Sequence, residues 1–165
     1  MSGLTVRNSP SWTIHPLDCA GAVFADLAIE NPPDSPNTDG LNPESSTDIE
    51  IVGVRFSVGD DCIAIKAGKF WPDGTVSGPT RNVSVRHCLM ERGHGGVVIG
   101  SEMSGSVTDV TITSCTMVAT DRGLRVKTRR GRGGQVARIV LSDCFMDGVG
   151  MALAVNSHYF CDPDG

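Results

Sequence analysis

The sequence predicts an all-β fold, a right-handed single-stranded parallel β-helix, and three observations carry that prediction. An apolar pattern at offsets 0, 2, 5 and 7 recurs along the chain. Its copies begin 27, 34, 27 and 29 residues apart, and no stretch sustains helical spacing. Period-2 apolar pairs rich in β-branched residues mark strands, and a repeat of this length marks a solenoid.

The first full copy is Ala22, Phe24, Leu27 and Ile29, and the second is Ile49, Ile51, Val54 and Phe56. The third is Val83, Val85, Cys88 and Met90, and the fourth is Val110, Ile112, Cys115 and Met117. Ile139, Leu141, Cys144 and Met146 form the fifth, and a partial copy opens near Leu4 and Val6, so about six coils are expected. Coils of a β-helix stack at the inter-strand distance, roughly 4.8 Å. Equivalent positions then form ladders, and Cys88, Cys115 and Cys144 are expected as one inward ladder of small buried residues without disulfides. A β-sandwich would need hairpin signals such as Asn-Gly, and no Asn-Gly is present. The scarcity of leucine argues against leucine-rich repeats.

Insertions fall between strands. Residues 31–36 carry three prolines, residues 69–80 contain Pro72, Asp73-Gly74 and Gly78-Pro79, and residues 129–134 form a Gly/Arg turn. The repeat continues across each, so none reads as a domain linker, and residues 1–165 form one unit.

Composition narrows the function classes. A net charge of −5 argues against general nucleic-acid or membrane-surface binding. No apolar run approaches the roughly 20 residues of a membrane span. Hydrophobic content is 39% with 20 glycines, which implies many turns. The start, Met1-Ser2-Gly3-Leu4, shows no signal peptide. A fragment or a cytoplasmic protein would both look like this, and the compartment stays open. The absence of Cys-x-x-Cys argues against a zinc site, and no cofactor is expected. Cys62 reads as packing, since no base stands beside it.

The chemistry-bearing residues come in four short motifs. Asn37-Thr38-Asp39-Gly40 is followed by Gly59-Asp60-Asp61-Cys62, then Gly93-His94-Gly95-Gly96, then Arg125-Val126-Lys127. Each has a bland alternative. Asp60-Asp61 reads as a turn or bulge entering a strand at Ile63 to Ile65, with Gly59 permitting the backbone. Asp39 suits a turn, and His94 suits an exposed loop. What sets them apart is position: Asp60 and His94 lie at the same offset from their coil starts, and Asp39 and Arg125 lie a few residues further on. Stacking therefore gathers three carboxylates, an imidazole and two cations on one face of a stiff cylinder. Crowded carboxylates suit acid–base work on a glycosidic bond, because like charges raise at least one pKa. Arg125 and Lys127 alternate with Val126 and so share a face, which suits an anionic sugar.

The four motifs, in that order, resemble glycoside hydrolase family 28, the polygalacturonases and their relatives. The likeness runs from Asn8-Ser9-Pro10 to Phe160-Cys161-Asp162-Pro163-Asp164-Gly165 and covers the central part of such an enzyme, as in bacterial members. It implies a pectin-lyase-like solenoid with coils missing at both ends. It also implies inverting hydrolysis of α-1,4 bonds in polygalacturonate, a pectic polysaccharide, without a metal. By the same resemblance Asp60 is the general acid, Asp39 and Asp61 hold the attacking water, and His94 sits beside the acid. Arg125, Lys127 and Asn37 contact substrate. The family's Arg-x-Lys pair commonly holds isoleucine where Val126 stands here.

Three rival readings remain. One is a related family 28 activity on rhamnogalacturonan. The second is a calcium-dependent pectate lyase, and the third an inactive truncated carbohydrate-binding piece. Glu102, in Gly100-Ser101-Glu102-Met103-Ser104-Gly105, reads equally as a sugar contact or a coil turn. Trp12 and Trp71 read as stacking platforms or as packing under loops.

Overall fold

The corners of the coil explain the spacing of the apolar residues. At offset 4 of each repeat stands a residue with positive φ: Asp26, Gly53, His87, Ser114 and Asp143. That left-handed residue turns the chain by one corner, so offsets 0 and 2 point inward from one strand and offsets 5 and 7 from the next. A second ladder with positive φ, Gly21, Asp48, Asn82, Asp109 and Arg138, sits just before each copy. Asn and Asp adopt this region more readily than other side chains, and they supply half of the ten positions in the two ladders.

Residues 1–71 and 73–160 are described by the computed structural model. Pro72, Cys161 and the closing residues 162–165 lie outside them. Every named strand pairs in parallel, and the strands form three sheets running along the solenoid. The first contains β2 (Ala20–Ala25), β4 (Thr47–Val52), β7 (Thr80–Arg86), β10 (Val107–Thr113) and β13 (Val136–Ser142). The second contains six short strands, β1 (Thr5–Arg7), β3 (Ala28–Glu30), β5 (Arg55–Ser57), β8 (Leu89–Glu91), β11 (Thr116–Val118) and β14 (Phe145–Asp147). The third contains β6 (Asp61–Ile65), β9 (Gly95–Gly100), β12 (Arg122–Lys127) and β15 (Met151–Asn156). Isolated parallel bridges, Ile14↔Leu41↔Ile63 and Leu17↔Glu44↔Lys66, continue that third face towards the N-terminus. The chain makes about five turns, with β1 opening a further layer. Parallel strands joined by crossovers take the right-handed path. No α-helix occurs among the described residues.

Repeat positions meet in register as the spacing requires. Ala22 pairs with Ile49, Ile49 with Val83, Val83 with Val110, and Val110 with Ile139. Ile49, Ile51, Val83, Val85, Val110 and Ile112 are all buried and form the axial core with Phe56, Met90 and Met117. The cysteine ladder is present. The thiols of Cys88, Cys115 and Cys144 point at Ile51, Val85 and Ile112 carbonyl oxygens at 3.7, 3.8 and 3.9 Å, each one coil back. All three cysteines are free; Cys88 and Cys115 are buried, and Cys144, in the outermost coil, is half-buried.

The proline insertion folds against the third face. Gly59 has ordinary φ, and its role is close approach. A Cβ there would lie 2.3 Å from the Ser35 carbonyl oxygen and 2.6 Å from that of Pro32, so the proline loop packs directly on the acidic motif. The 69–80 insertion is closed by an antiparallel bridge between Phe70 and Val76.

Candidate active site

The third sheet carries the motif residues on its outer side. Asp61 is the first residue of β6, paired with Gly95 of β9 and fully buried. The sequence alone puts the whole Asp-Asp pair in a turn or bulge ahead of the strand, whereas Asp61 is the first residue of β6. The structure leaves only Asp60 in the bend, because the Asp61 carboxylate is met by a cation within the sheet. Lys127, at the end of β12, reaches past β9 and donates from Nζ to Asp61 Oδ2 at 2.6 Å. Burial works against the Lys127 charge. The charge and hydrogen bond of Asp61 outweigh burial and hold its pKa above the usual lysine range. The other oxygen, Asp61 Oδ1, is buried with no hydrogen-bond partner among the described residues.

Asp60 Oδ1 accepts the Asp61 backbone N–H at 2.9 Å and lies 3.1 Å from His94 Nδ1. The two motifs are stacked: the His94 backbone N–H donates to the Asp60 carbonyl at 3.0 Å. Gly93, at φ 125°, makes that stacking possible, since a Cβ there would stand 2.6 Å from the same carbonyl.

Asp39 arrives on the segment next to β6, where Gly40 N–H donates to the Asp61 carbonyl and Leu41 N–H to that of Cys62. Its side chain is buried, and Oδ2 accepts from Asn42 Nδ2 at 2.7 Å. Burial raises its pKa to about 6, and the charges of Asp61 and Asp60 add to this. Lys66 and the Asn42 hydrogen bond pull it the other way.

An open cleft of about 390 Å³ is lined by Asn37, Asp39, Asp60, His94, Arg125 and Lys127, and further by Trp12, Lys66, Ser101, Glu102, Tyr159 and Phe160. All the sequence-predicted residues except Asp61 line it, and Asp61 lies directly beneath, bonded to Lys127. Asn37 is exposed at the rim with φ 55°. Arg125 lies with its guanidinium 5.2 Å from the Tyr159 ring centre, and no carboxylate pairs with it among the described residues. Lys66, Glu102, Asn42 and Tyr159 were given no role from sequence. Lys66 closes an apolar strand at an outward position, which was a readable signal. Tyr159 lies beyond the repeat pattern and offered none. Trp12 faces the cleft, over Lys66, whereas Trp71 lies exposed in the 69–80 insertion. Among the described residues no group of three or more His, Cys, Asp or Glu is arranged to hold a metal ion.

A parallel solenoid with clustered carboxylates under a cation-bearing cleft is a glycosidase-like arrangement, and comparison with known proteins decides the family. Residues 1–163 match the glycosyl hydrolases family 28. The chain belongs to this family. It is 36% identical to a probable polygalacturonase of Vitis vinifera over 162 residues, 96% of this chain and 33% of that protein. It is 35% identical to an endo-polygalacturonase of Pectobacterium carotovorum subsp. carotovorum, over 94% of this chain and 37% of that protein. Among solved structures, a hyperthermoactive exopolygalacturonase from Thermotoga maritima superposes with a TM-score of 0.85 at 33% identity, covering 96% of this chain and 38% of that one. This family 28 chain thus spans a third to two-fifths of the length of these relatives.

Proposed function

We propose that this chain hydrolyses α-1,4 bonds between galacturonate units of polygalacturonate, by inverting acid–base catalysis. Family membership and relatives named polygalacturonases support the reaction class. The observation that carries the substrate assignment is Arg125. Lys66 and Lys127 both have carboxylate partners, whereas the Arg125 guanidinium faces the cleft with none among the described residues. A planar guanidinium grips a sugar carboxylate with two hydrogen bonds.

In this reading Asp60 is the general acid. Its Oδ1 is taken by the Asp61 N–H and His94, so Oδ2 carries the proton to the leaving glycosidic oxygen. Asp39 and Asp61 hold the attacking water opposite. Asp61 offers the unpartnered Oδ1, and Asp39, with its raised pKa, takes the water's proton. His94 steadies Asp60, Lys127 holds the Asp61 carboxylate in place while remaining at the cleft wall, and Asn37 contacts sugar at the rim. The products are two saturated fragments, one with a new inverted reducing end.

The test is reducing-end release from polygalacturonate, with and without a chelator, alongside ultraviolet absorbance of the products. Chelator-insensitive release without absorbing product supports hydrolysis. Absorbing product that disappears with chelator means elimination, and no release at all removes the proposal for this chain.

A further inference from the structure

The cleft crosses successive layers of the solenoid, and its two ends differ in how their cations are committed. Trp12 lies in the layer before Asn37 and Asp39, since Thr13 N–H donates to the Asp39 carbonyl at 2.8 Å and Ile14 pairs with Leu41. Asp60 and Lys66 follow, then His94 and Glu102, then Arg125 and Lys127. Tyr159 closes the row, with its N–H on the Thr128 carbonyl at 3.0 Å. At roughly 4.8 Å per coil, the Trp12 and Tyr159 layers stand about 24 Å apart, which leaves room for a sugar unit on either side of Asp60.

On the Trp12 side the lining cation is Lys66, which is 3% exposed and shares a ladder with Glu44. Its ammonium donates to Glu102 Oε2 at 2.9 Å and to the Gly100 carbonyl at 3.2 Å, and the centre of the Trp12 ring lies 4.6 Å away. An ammonium has three N–H directions. Two are bonded and the remaining side is covered by the indole, a favourable place for a cation. Glu102 Oε1 accepts from Ser101 Oγ at 3.1 Å, and His15, in the same layer as Trp12, is held by Glu44 at 2.7 Å. Among the described residues this side thus offers a sugar the Asp39 and Glu102 carboxylates, the Asn37 amide and an indole, while its cation is already bonded. At the other end Lys127 is spent on Asp61, but the Arg125 guanidinium faces the cleft without a carboxylate partner among the described residues.

We propose that the cleft reads the two sides of the cut differently: the Arg125 side takes a free galacturonate carboxylate, the Trp12 side takes a methyl-esterified unit, and Trp12 sets this difference by capping Lys66. The inference rests on the polygalacturonate reading above and names a pectic substrate in which free and esterified units adjoin. A free carboxylate on the Trp12 side meets charges of its own sign and no available donor, which disfavours it. A methyl ester carries no charge, and its methyl group packs against an apolar ring. Removing the indole gives Lys66 a free N–H direction and with it a reason to prefer the acid.

The experiment digests partly methyl-esterified oligogalacturonates and locates the esters in both products by tandem mass spectrometry. The wild type should exclude esters from the unit nearest the cut on one side, by about 30-fold in kcat/KM, and accept them on the other. Arg125→Ala should relax the exclusion, which identifies its side. Trp12→Ala should turn the accepting side towards free acid by about tenfold, the effect of one new hydrogen bond to a charged group. Glu102→Gln removes a repelling charge and loosens Lys66, so it should act in the same direction and serves if Trp12→Ala does not fold. Esters excluded alike from both sides by the wild type overturn the inference, as does an unchanged pattern in folded Trp12→Ala or Glu102→Gln. If nothing is cut, the hydrolysis reading fails and calorimetric binding of free-acid and fully esterified oligomers decides. Trp12→Ala should then tighten the acid relative to the ester, and an unchanged ratio overturns the inference.

Discussion

Lys127 and Asp61 lie 66 residues apart in the chain and 2.6 Å apart in the structure, on two strands of one sheet with β9 between them. The pair is nearly closed to solvent, and the Arg-x-Lys motif thereby reaches into the carboxylate cluster as well as lining the cleft.

Breaking one side of that pair should be costly. Lys127→Met leaves the Asp61 carboxylate buried and uncompensated, a loss of about 3–5 kcal/mol. The pKa of Lys127 is raised on folding, so the contribution is fully present below about 10.5 and is lost only as pH rises through the higher folded value. Denaturant unfolding at pH 7 should show the loss. Asp61→Asn/Lys127→Met should recover most of it, and a double variant as unstable as Lys127→Met would contradict the pairing.

Asp39 should behave oppositely. Its folded pKa of about 6 exceeds the ordinary 3.8, so the folded state binds the proton more tightly. Stability therefore falls as pH rises from about 3.8 to 6, and the full penalty persists above that. Asp39→Asn removes it, raising stability at pH 7–8 by up to about 3 kcal/mol while activity is lost. Thermal melts at pH 4 and pH 8 check this: the gain should be confined to the higher pH.

Arg125 has no ion pair to lose among the described residues, so Arg125→Ala should leave unfolding nearly unchanged. On polygalacturonate the loss should be about 2 kcal/mol, or roughly 30-fold in kcat/KM, for a partly exposed partner. A fully methyl-esterified polymer should lose proportionally less. Equal losses on both polymers would place Arg125 at the reaction centre or in the fold.

How much of this was legible follows from which interactions are periodic. The ladder of Cys88, Cys115 and Cys144 and the register of Ile49 with Val83 and Val110 repeat at fixed offsets, and a repeat can be counted along one chain. The stacking of His94 on Asp60 was legible for the same reason, since both stand at one offset. The strand position of Asp61 is hidden in the sequence, which suggests a turn or bulge because a strand disfavours aspartate, and its compensating lysine lies two coils away. Lys66 and Glu102 went unassigned because their meeting depends on how two side chains turn within the cleft. Neither length nor spacing fixes that direction.

The central claim is that the Asp60–Asp61–Asp39 cluster performs hydrolysis with Asp60 as the acid, and one comparison tests it most directly. Reducing-end release from polygalacturonate is measured for the wild type and for Asp60→Asn, with circular dichroism and unfolding matched between them. The amide cannot protonate the leaving oxygen, so release should fall by at least the roughly 10²–10⁴-fold attributed to general acid catalysis. A folded Asp60→Asn that releases reducing ends at the wild-type rate would contradict the account.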